Sequence, residues 1–316
     1  MEYTKLGRSG LWVSRLVLGT MNFGSTVEEE EAFRIMDAAL ELGINHFDTA
    51  NNYGKRINRE GISESMLGKW FMKGGGRREK VILSTKVYEP MEKSGPNEKP
   101  GLSAYKIRRH FADSLRRLQT DHIEIYYMHH IDRTVCWSEV LPVFQSMIQK
   151  GDIDYLGSSN FAAWNIADFQ KEAEHANMFG LVCEQHKYNL MCRLPELEVI
   201  PSVKGHGMGI VAWSPLNGGI LSRNGKNRQA ADTQEEERLK KFRELCMEIG
   251  EAEDTVSLAW LLRNPAITAP IIGPRNVTQL YDTVRALEIH LEDDVIKRLD
   301  EIFPGPGGQA PEAYAW

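Results

Sequence analysis

Apolar and polar residues alternate along this chain in two rhythms that keep replacing one another. Short runs of consecutive apolar residues give way to longer stretches in which apolar residues recur every three or four positions. The first rhythm describes strands buried on both faces, and the second describes amphipathic helices. The apolar runs predict strands at residues 16–19, 44–47, 81–85, 123–128, 153–157, 181–184, 209–213 and 269–272. A helix follows the first strand, with Phe33, Met36 and Leu40 on one face and Gly43 at its stop position. Thr26 and Glu29 have the spacing of a capping box at its start. A second helix is predicted around residues 63–72. A third spans about 103–118, with Ala104, Ile107, Phe111, Leu115 and Leu118 on one stripe. Before all of these, residues 3–6 and 11–13 flank the turn Gly7-Arg8-Ser9-Gly10 as a hairpin.

Strand–helix units recurring roughly every 30–40 residues predict a parallel sheet covered by helices. Eight such units closing on themselves make a (β/α)8 barrel, an α/β fold of the TIM type. The rival is a doubly wound sheet, which would carry a glycine-rich turn after its first strand. Gly74-Gly75-Gly76 and the Gly205-His206-Gly207-Met208-Gly209 segment both lead into strands, so neither has that context. The expectation is one barrel domain over residues 1–316, with an N-terminal β-hairpin and extra C-terminal helices. The least compact stretches are 88–101, 217–232 and the tail from Pro304. That tail reads either as a mobile end or as a lid carrying Tyr314 and Trp316.

Composition narrows the class. No run of about 18 apolar residues exists, so no membrane span is expected. The start, Met-Glu-Tyr-Thr-Lys, has no apolar core of a secretory signal. A net charge of −6 without a basic arm argues against a nucleic-acid partner. Cys136, Cys183, Cys192 and Cys246 form no Cys-x-x-Cys pair, and no histidine cluster has zinc-like spacing. Reduced thiols, a cytoplasmic protein and no metal site are expected.

The candidate chemistry lies at strand ends. Asp48 closes the second barrel strand and Tyr53 follows five residues later; Lys86 closes the third and His129 the fourth. A parallel barrel brings all these ends to one face. A lysine beside a tyrosine stabilises the phenolate and lowers its pKa, and a carboxylate keeps the lysine charged and aimed. A histidine next to them can hold a carbonyl oxygen or help pass a proton. Such a set protonates a carbonyl oxygen as hydride reaches carbon, or runs the reverse. His46 and His130 read as ordinary structural histidines.

Seven segments carry a resemblance. They are Leu18-Gly19-Thr20, Phe47-Asp48-Thr49-Ala50, Ser84-Thr85-Lys86, Ser114-Leu115-Arg116-Arg117-Leu118, Gly157-Ser158-Ser159-Asn160-Phe161, Trp213-Ser214-Pro215-Leu216 and Ile272-Gly273. In these the chain resembles the aldo-keto reductases from Leu6 to about Leu287, on the branch of the potassium-channel β-subunits. The resemblance implies a catalytic tetrad of Asp48, Tyr53, Lys86 and His129; His129 rather than His130 matches the spacing from Asp121 and Tyr126. It implies a nicotinamide site at Ser159, Asn160 and Gln185, with Trp213 stacking on the ring. It further implies cofactor contacts from Gly19, Thr20, Met21 and Asp48, from Ser214, Pro215, Leu216 and Gly218 at the pyrophosphate, and from Gly273, Arg275, Gln279 and Asp282 at the adenosine. Arg275 suits a 2′-phosphate, so NADPH is expected in preference to NADH. The chain departs from the family in Asp152 and Asp154, in Trp213 where tyrosine is frequent, and in Asp282-Thr283 on the adenine side. The implied reaction is reduction of an aldehyde or ketone to an alcohol. Keto-sugars, including nucleotide-linked ones, and small reactive aldehydes both fit as substrates. The alternatives are an NAD-linked alcohol or sugar dehydrogenase and a non-catalytic, cofactor-binding subunit; under any of these readings a monomer or homo-oligomer is expected.

Overall fold

The computed structural model of the chain describes residues 1–91, 95–223 and 232–315. Strand β1 (Tyr3–Lys5) pairs antiparallel with β2 (Trp12–Ser14) as the predicted hairpin. Eight further strands form a closed parallel barrel: β3 (Val17–Gly19), β4 (His46–Asp48), β5 (Ile82–Val87), β6 (Ile123–Met128), β7 (Ile153–Ser159), β8 (Leu181–Lys187), β9 (Gly209–Trp213) and β10 (Ile267–Ile272). Neighbours follow chain order, and β10 closes on β3 through Ile271 opposite Val17 and Ile272 opposite Leu18. Helices α1 (Glu29–Glu41), α2 (Ile62–Phe71), α3 (Ala104–Leu118), α4 (Trp137–Lys150), α5 (Ala163–His175) and α6 (Val199–Gly205) cover the outside. They are joined there by α7 (Thr233–Ile249), α8 (Glu253–Arg263), α9 (Val277–Val284) and α10 (Asp293–Ile302), and a short α11 (Glu312–Ala315) ends the described chain.

Two apolar cores result. The larger lies between helices and strands, and the smaller fills the barrel itself with Val17, Ile125, Tyr127, Cys183, Val211 and Ala269. The hairpin is the plug of the N-terminal end, because Leu6 and Val13 join that inner core. Gly7 is required there. Its φ is +56°, and a Cβ would meet Gly207 O, Gly209 N and Val182 O at 2.7 Å.

The helix starts divide. Ser103 caps α3 as its polar position suggests, accepting from Lys106 N at 3.2 Å. The capping box at Thr26 and Glu29 is absent. Residues 25–27 instead fold as a tight turn whose amides all donate to Asn22 O, and α1 begins after Glu28 without a side-chain cap. Glu29, Glu30 and Glu31 in its first turn still suit the helix dipole. The C-terminal tail is tied to the β8–α6 segment by Ala310 N donating to Leu197 O at 2.8 Å. Trp316, which the lid reading needs, lies outside the described residues, as do residues 92–94 and 224–231 of the two long loops.

Candidate active site

Asp48, Lys86, Ser159, Gln185 and Trp213 stand at the carboxyl ends of five barrel strands. The barrel therefore gathers side chains that are up to 165 residues apart in the numbering, from Asp48 to Trp213. Lys86 is fully buried and donates from Nζ to Asp48 Oδ2 at 2.6 Å, Thr49 O at 2.7 Å and Tyr53 Oη at 3.0 Å. Its ammonium also lies 4.8 Å from the Tyr53 ring centroid. Asp48 is saturated: Oδ1 accepts from Ser84 Oγ at 2.8 Å and from Gln185 Nε2 at 2.9 Å. The His129 ring meets Tyr53 edge-on, with centroids 6.2 Å apart, and its Nδ1 is buried without a hydrogen-bond partner.

Charge follows from this packing. Burial opposes the charge on Lys86, but Asp48 and then Tyr53 outweigh it, and its pKa is raised. Lys86 is a cation across the neutral range. The sequence predicts a lowered pKa for Tyr53, and the net effect is the opposite. Burial pushes the phenol up, and Lys86 pulls it down only part of the way. Tyr53 is therefore a neutral phenol at neutral pH, facing a cation that would receive its phenolate. Burial, Lys86 and His130 hold His129 well below the usual histidine range, so it is a neutral imidazole.

The amide and hydroxyl side chains extend this cluster into one network. Trp213 Nε1 donates to Asn160 Oδ1 at 3.1 Å, and Asn160 Nδ2 donates to Ser159 Oγ at 2.9 Å and His129 O at 3.2 Å. Ser159 Oγ donates to Gln185 O at 2.8 Å, and Gln185 returns to Asp48. Asn160 adopts a left-handed backbone, φ +59°, which turns its side chain back over the strand end. An acid, a cation, a neutral phenol and a neutral imidazole thus share one mouth with a half-buried indole. This arrangement can hand a proton to an oxygen held beside Tyr53.

Residues 15–303 match the model of the aldo/keto reductase family. The chain belongs to that family. It is 57% identical, over the full length of both chains, to an uncharacterized oxidoreductase, YrpG, of Bacillus subtilis. It is 29% identical to a probable voltage-gated potassium channel subunit beta of rice, Oryza sativa, with 96% of each chain covered. A putative aryl-alcohol dehydrogenase of Schizosaccharomyces pombe is also 29% identical, with 95% of each covered. As an aldo/keto reductase the protein is an oxidoreductase.

The other residues that the resemblance implies follow the ends of β3, β9 and β10. Gly19 ends β3 and Thr20 follows it. Thr20 Oγ1 is occupied inside, donating to Asp48 O at 3.0 Å and lying 2.7 Å from Ser63 Oγ. Gly19 has no room for a side chain, since a Cβ would lie 2.5 Å from Ile271 Cγ2. Met21 is half exposed. After β9, Ser214 has φ +53° and its Oγ accepts from Gly218 N at 3.2 Å, curling Pro215 and Leu216 into a tight loop. After β10, Gly273 O accepts from Asn22 Nδ2 at 3.2 Å, and Arg275 N donates to Gln279 Oε1 at 2.9 Å. Arg275 and Asp282 are exposed, and the Arg275 guanidinium has no protein partner among the described residues.

Several residues enter to which the sequence assigns no role at the site, His130 among them. Ser84 and Asn22 make the contacts above. His130 stacks on His129 with centroids 5.0 Å apart and meets Tyr88 edge-on, so it walls the mouth. Lys106, buried on α3, pins both ends of the 88–101 loop by donating to Tyr88 O at 2.6 Å and Lys99 O at 2.8 Å. The signal for Ser84 was present: it lies two residues before Lys86, hence on the same face of the strand. Among the described residues, no group of three His, Cys, Asp or Glu side chains is placed to hold a metal ion, and no helix is long and apolar enough to cross a membrane.

Proposed function

We propose that this aldo/keto reductase uses NADPH to reduce an aldehyde or ketone, with Tyr53 as the general acid. The observation that carries the reading is Lys86 Nζ, held 2.6 Å from Asp48 and 3.0 Å from Tyr53 Oη in a fully buried setting. The residues present fit a dinucleotide. Trp213 offers an aromatic face, Ser159, Asn160 and Gln185 offer polar groups beside it, and Arg275 supplies an exposed cation next to the start of α9. The cofactor would supply hydride to the carbonyl carbon. Tyr53 would give its proton to the carbonyl oxygen while Lys86 steadies the phenolate that remains. Neutral His129 would orient that oxygen by donating an N–H. The substrate would be a small carbonyl compound, and Tyr88 and His130, which pack beside His129, are the described side chains placed to meet it. NADPH consumption across a panel of aryl aldehydes, keto-sugars and short reactive aldehydes tests the reading. Turnover with none of them, although NADPH binds, would favour a non-catalytic, cofactor-binding subunit. Faster alcohol oxidation with NAD would favour the direction in the yeast relative's name.

Two coenzyme predictions follow from named residues. NADPH should quench tryptophan fluorescence, and Trp213→Phe should remove most of the quenching. Full quenching in the variant would put the nicotinamide against another of the seven tryptophans. Arg275→Ala should weaken NADPH by about 10- to 150-fold and leave NADH nearly unchanged, as loss of a charge-assisted hydrogen bond does. Equal losses for both coenzymes, read by isothermal titration, would mean that Arg275 contacts a shared part.

A further inference from the structure

Two polar side chains sit inside the barrel where the surrounding interior is apolar. His46 precedes Asp48 by two residues on β4, and Ser84 precedes Lys86 by two on β5. The period of a strand puts each on the interior face, His46 one layer below its partner's carboxylate. Both are completely buried. Buried polar groups in such a layer are costly unless they are hydrogen-bonded. Here they form a directed chain: His46 Nε2 lies 3.1 Å from Ser84 Oγ, and Ser84 Oγ lies 2.8 Å from Asp48 Oδ1.

The direction of the chain follows from donor counting. Asp48, saturated by Lys86, Gln185 and Ser84, only accepts. The Ser84 hydroxyl proton is therefore spent on Asp48, since its other acceptor, Phe47 O, is 3.4 Å away. What reaches Ser84 Oγ from His46 must then be an N–H, on Nε2. The second nitrogen, Nδ1, is left bare, and it is indeed buried without any hydrogen-bond partner. A charged His46 would have to bury a proton on that nitrogen. Burial disfavours the charged ring, and although Asp48 opposes this, Lys86 adds to it, so the ring titrates only at about 4.

We propose that His46 and Ser84 are positioning residues: a neutral, Nε2-protonated His46 orients Ser84, and Ser84 fixes the Asp48 carboxylate that aims Lys86 at Tyr53. This rests on the reading of Tyr53 and Lys86 given above. It assigns a role to a strand residue that touches neither substrate nor cofactor. The fixed carboxylate keeps the lysine from swinging away from the phenol, so the chain acts on the proton-transfer step through two intermediaries.

Two measurements test it, one of which needs no turnover. In nitrogen-15 spectra of histidine-labelled enzyme, His46 should show a bare Nδ1 and a protonated Nε2 throughout about pH 5–8. A protonated Nδ1, or a ring that titrates in that window, overturns the proposal whether or not the enzyme reduces any carbonyl. In kinetics, Ser84→Ala should lower kcat by about 10-fold with KM for NADPH unchanged, and it should raise the apparent pKa of the oxidation direction, since the phenolate is less well supported. His46→Leu should act in the same direction, and His46→Gln, whose amide N–H can take the place of Nε2–H, should recover most of the rate. Variants that lose thermal stability but keep kcat and the pH profile would make the pair merely structural. An inactive wild type would instead count against the proposed function, with the tautomer measurement still deciding this one.

Discussion

Tyr53→Phe is expected to lower kcat for carbonyl reduction by about 10²- to 10⁴-fold, the usual contribution of a positioned general acid. The phenylalanine ring keeps the edge-on contact with His129 and removes only the hydroxyl that Lys86 reaches at 3.0 Å. NADPH affinity should stay near the wild-type value. The raised phenol pKa sets the accompanying pH behaviour. Reduction needs the protonated phenol, so the wild-type rate should stay level through neutrality and fall only at alkaline pH, above the ordinary tyrosine value. A Tyr53→Phe enzyme that retains more than about a tenth of the rate would remove Tyr53 from the reaction.

Lys86→Met is expected to lower kcat by at least about 10²-fold and to move the oxidation profile to higher pH, because the phenolate loses its cation. This substitution has a second consequence. Asp48 is buried and receives its shortest hydrogen bond from Lys86, so the variant leaves a carboxylate without its counter-charge. Breaking a buried pair in this way destabilises by about 3–5 kcal/mol. The double variant Lys86→Met, Asp48→Asn should recover much of the thermal stability while remaining inactive. Recovery of activity along with stability would mean that Lys86 serves the fold and not the proton transfer. Asp48→Asn alone should reduce kcat less than Lys86→Met, since the lysine stays charged without it.

The sequence carried the barrel and the cluster at its mouth because both rest on simple rules. Apolar runs mark buried strands, and β6 and β9 have the bounds that the runs predict. The strand ends that matter were harder to see. β7 continues past Gly157 to Ser159, and β8 past Glu184 to Lys187. The ladder goes on through polar residues there, because the mouth of the barrel is where side chains turn from packing to chemistry. Apolar pattern therefore stops where the site begins. Asp48, Tyr53, Lys86 and His129 stood out because each lies at such an end. His46 and Ser84 did not, because a buried histidine or serine looks the same in sequence whether it fills space or orients a neighbour. The net pKa of Tyr53 was also out of reach. The sequence names the lysine that lowers it, but only the three-dimensional packing reveals the burial that outweighs that lysine.

The most direct test of the account is hydride tracing. Enzyme mixed with an aldehyde and NADPH deuterated at the nicotinamide C4 should form an alcohol carrying deuterium on the former carbonyl carbon, with oxidised cofactor in equal amount. Tyr53→Phe, mixed the same way, should bind the cofactor and form alcohol at least about 10²-fold more slowly. Tight NADPH binding by the wild type with no label transferred to any carbonyl in the panel would contradict the account and leave a barrel that binds a cofactor without using it.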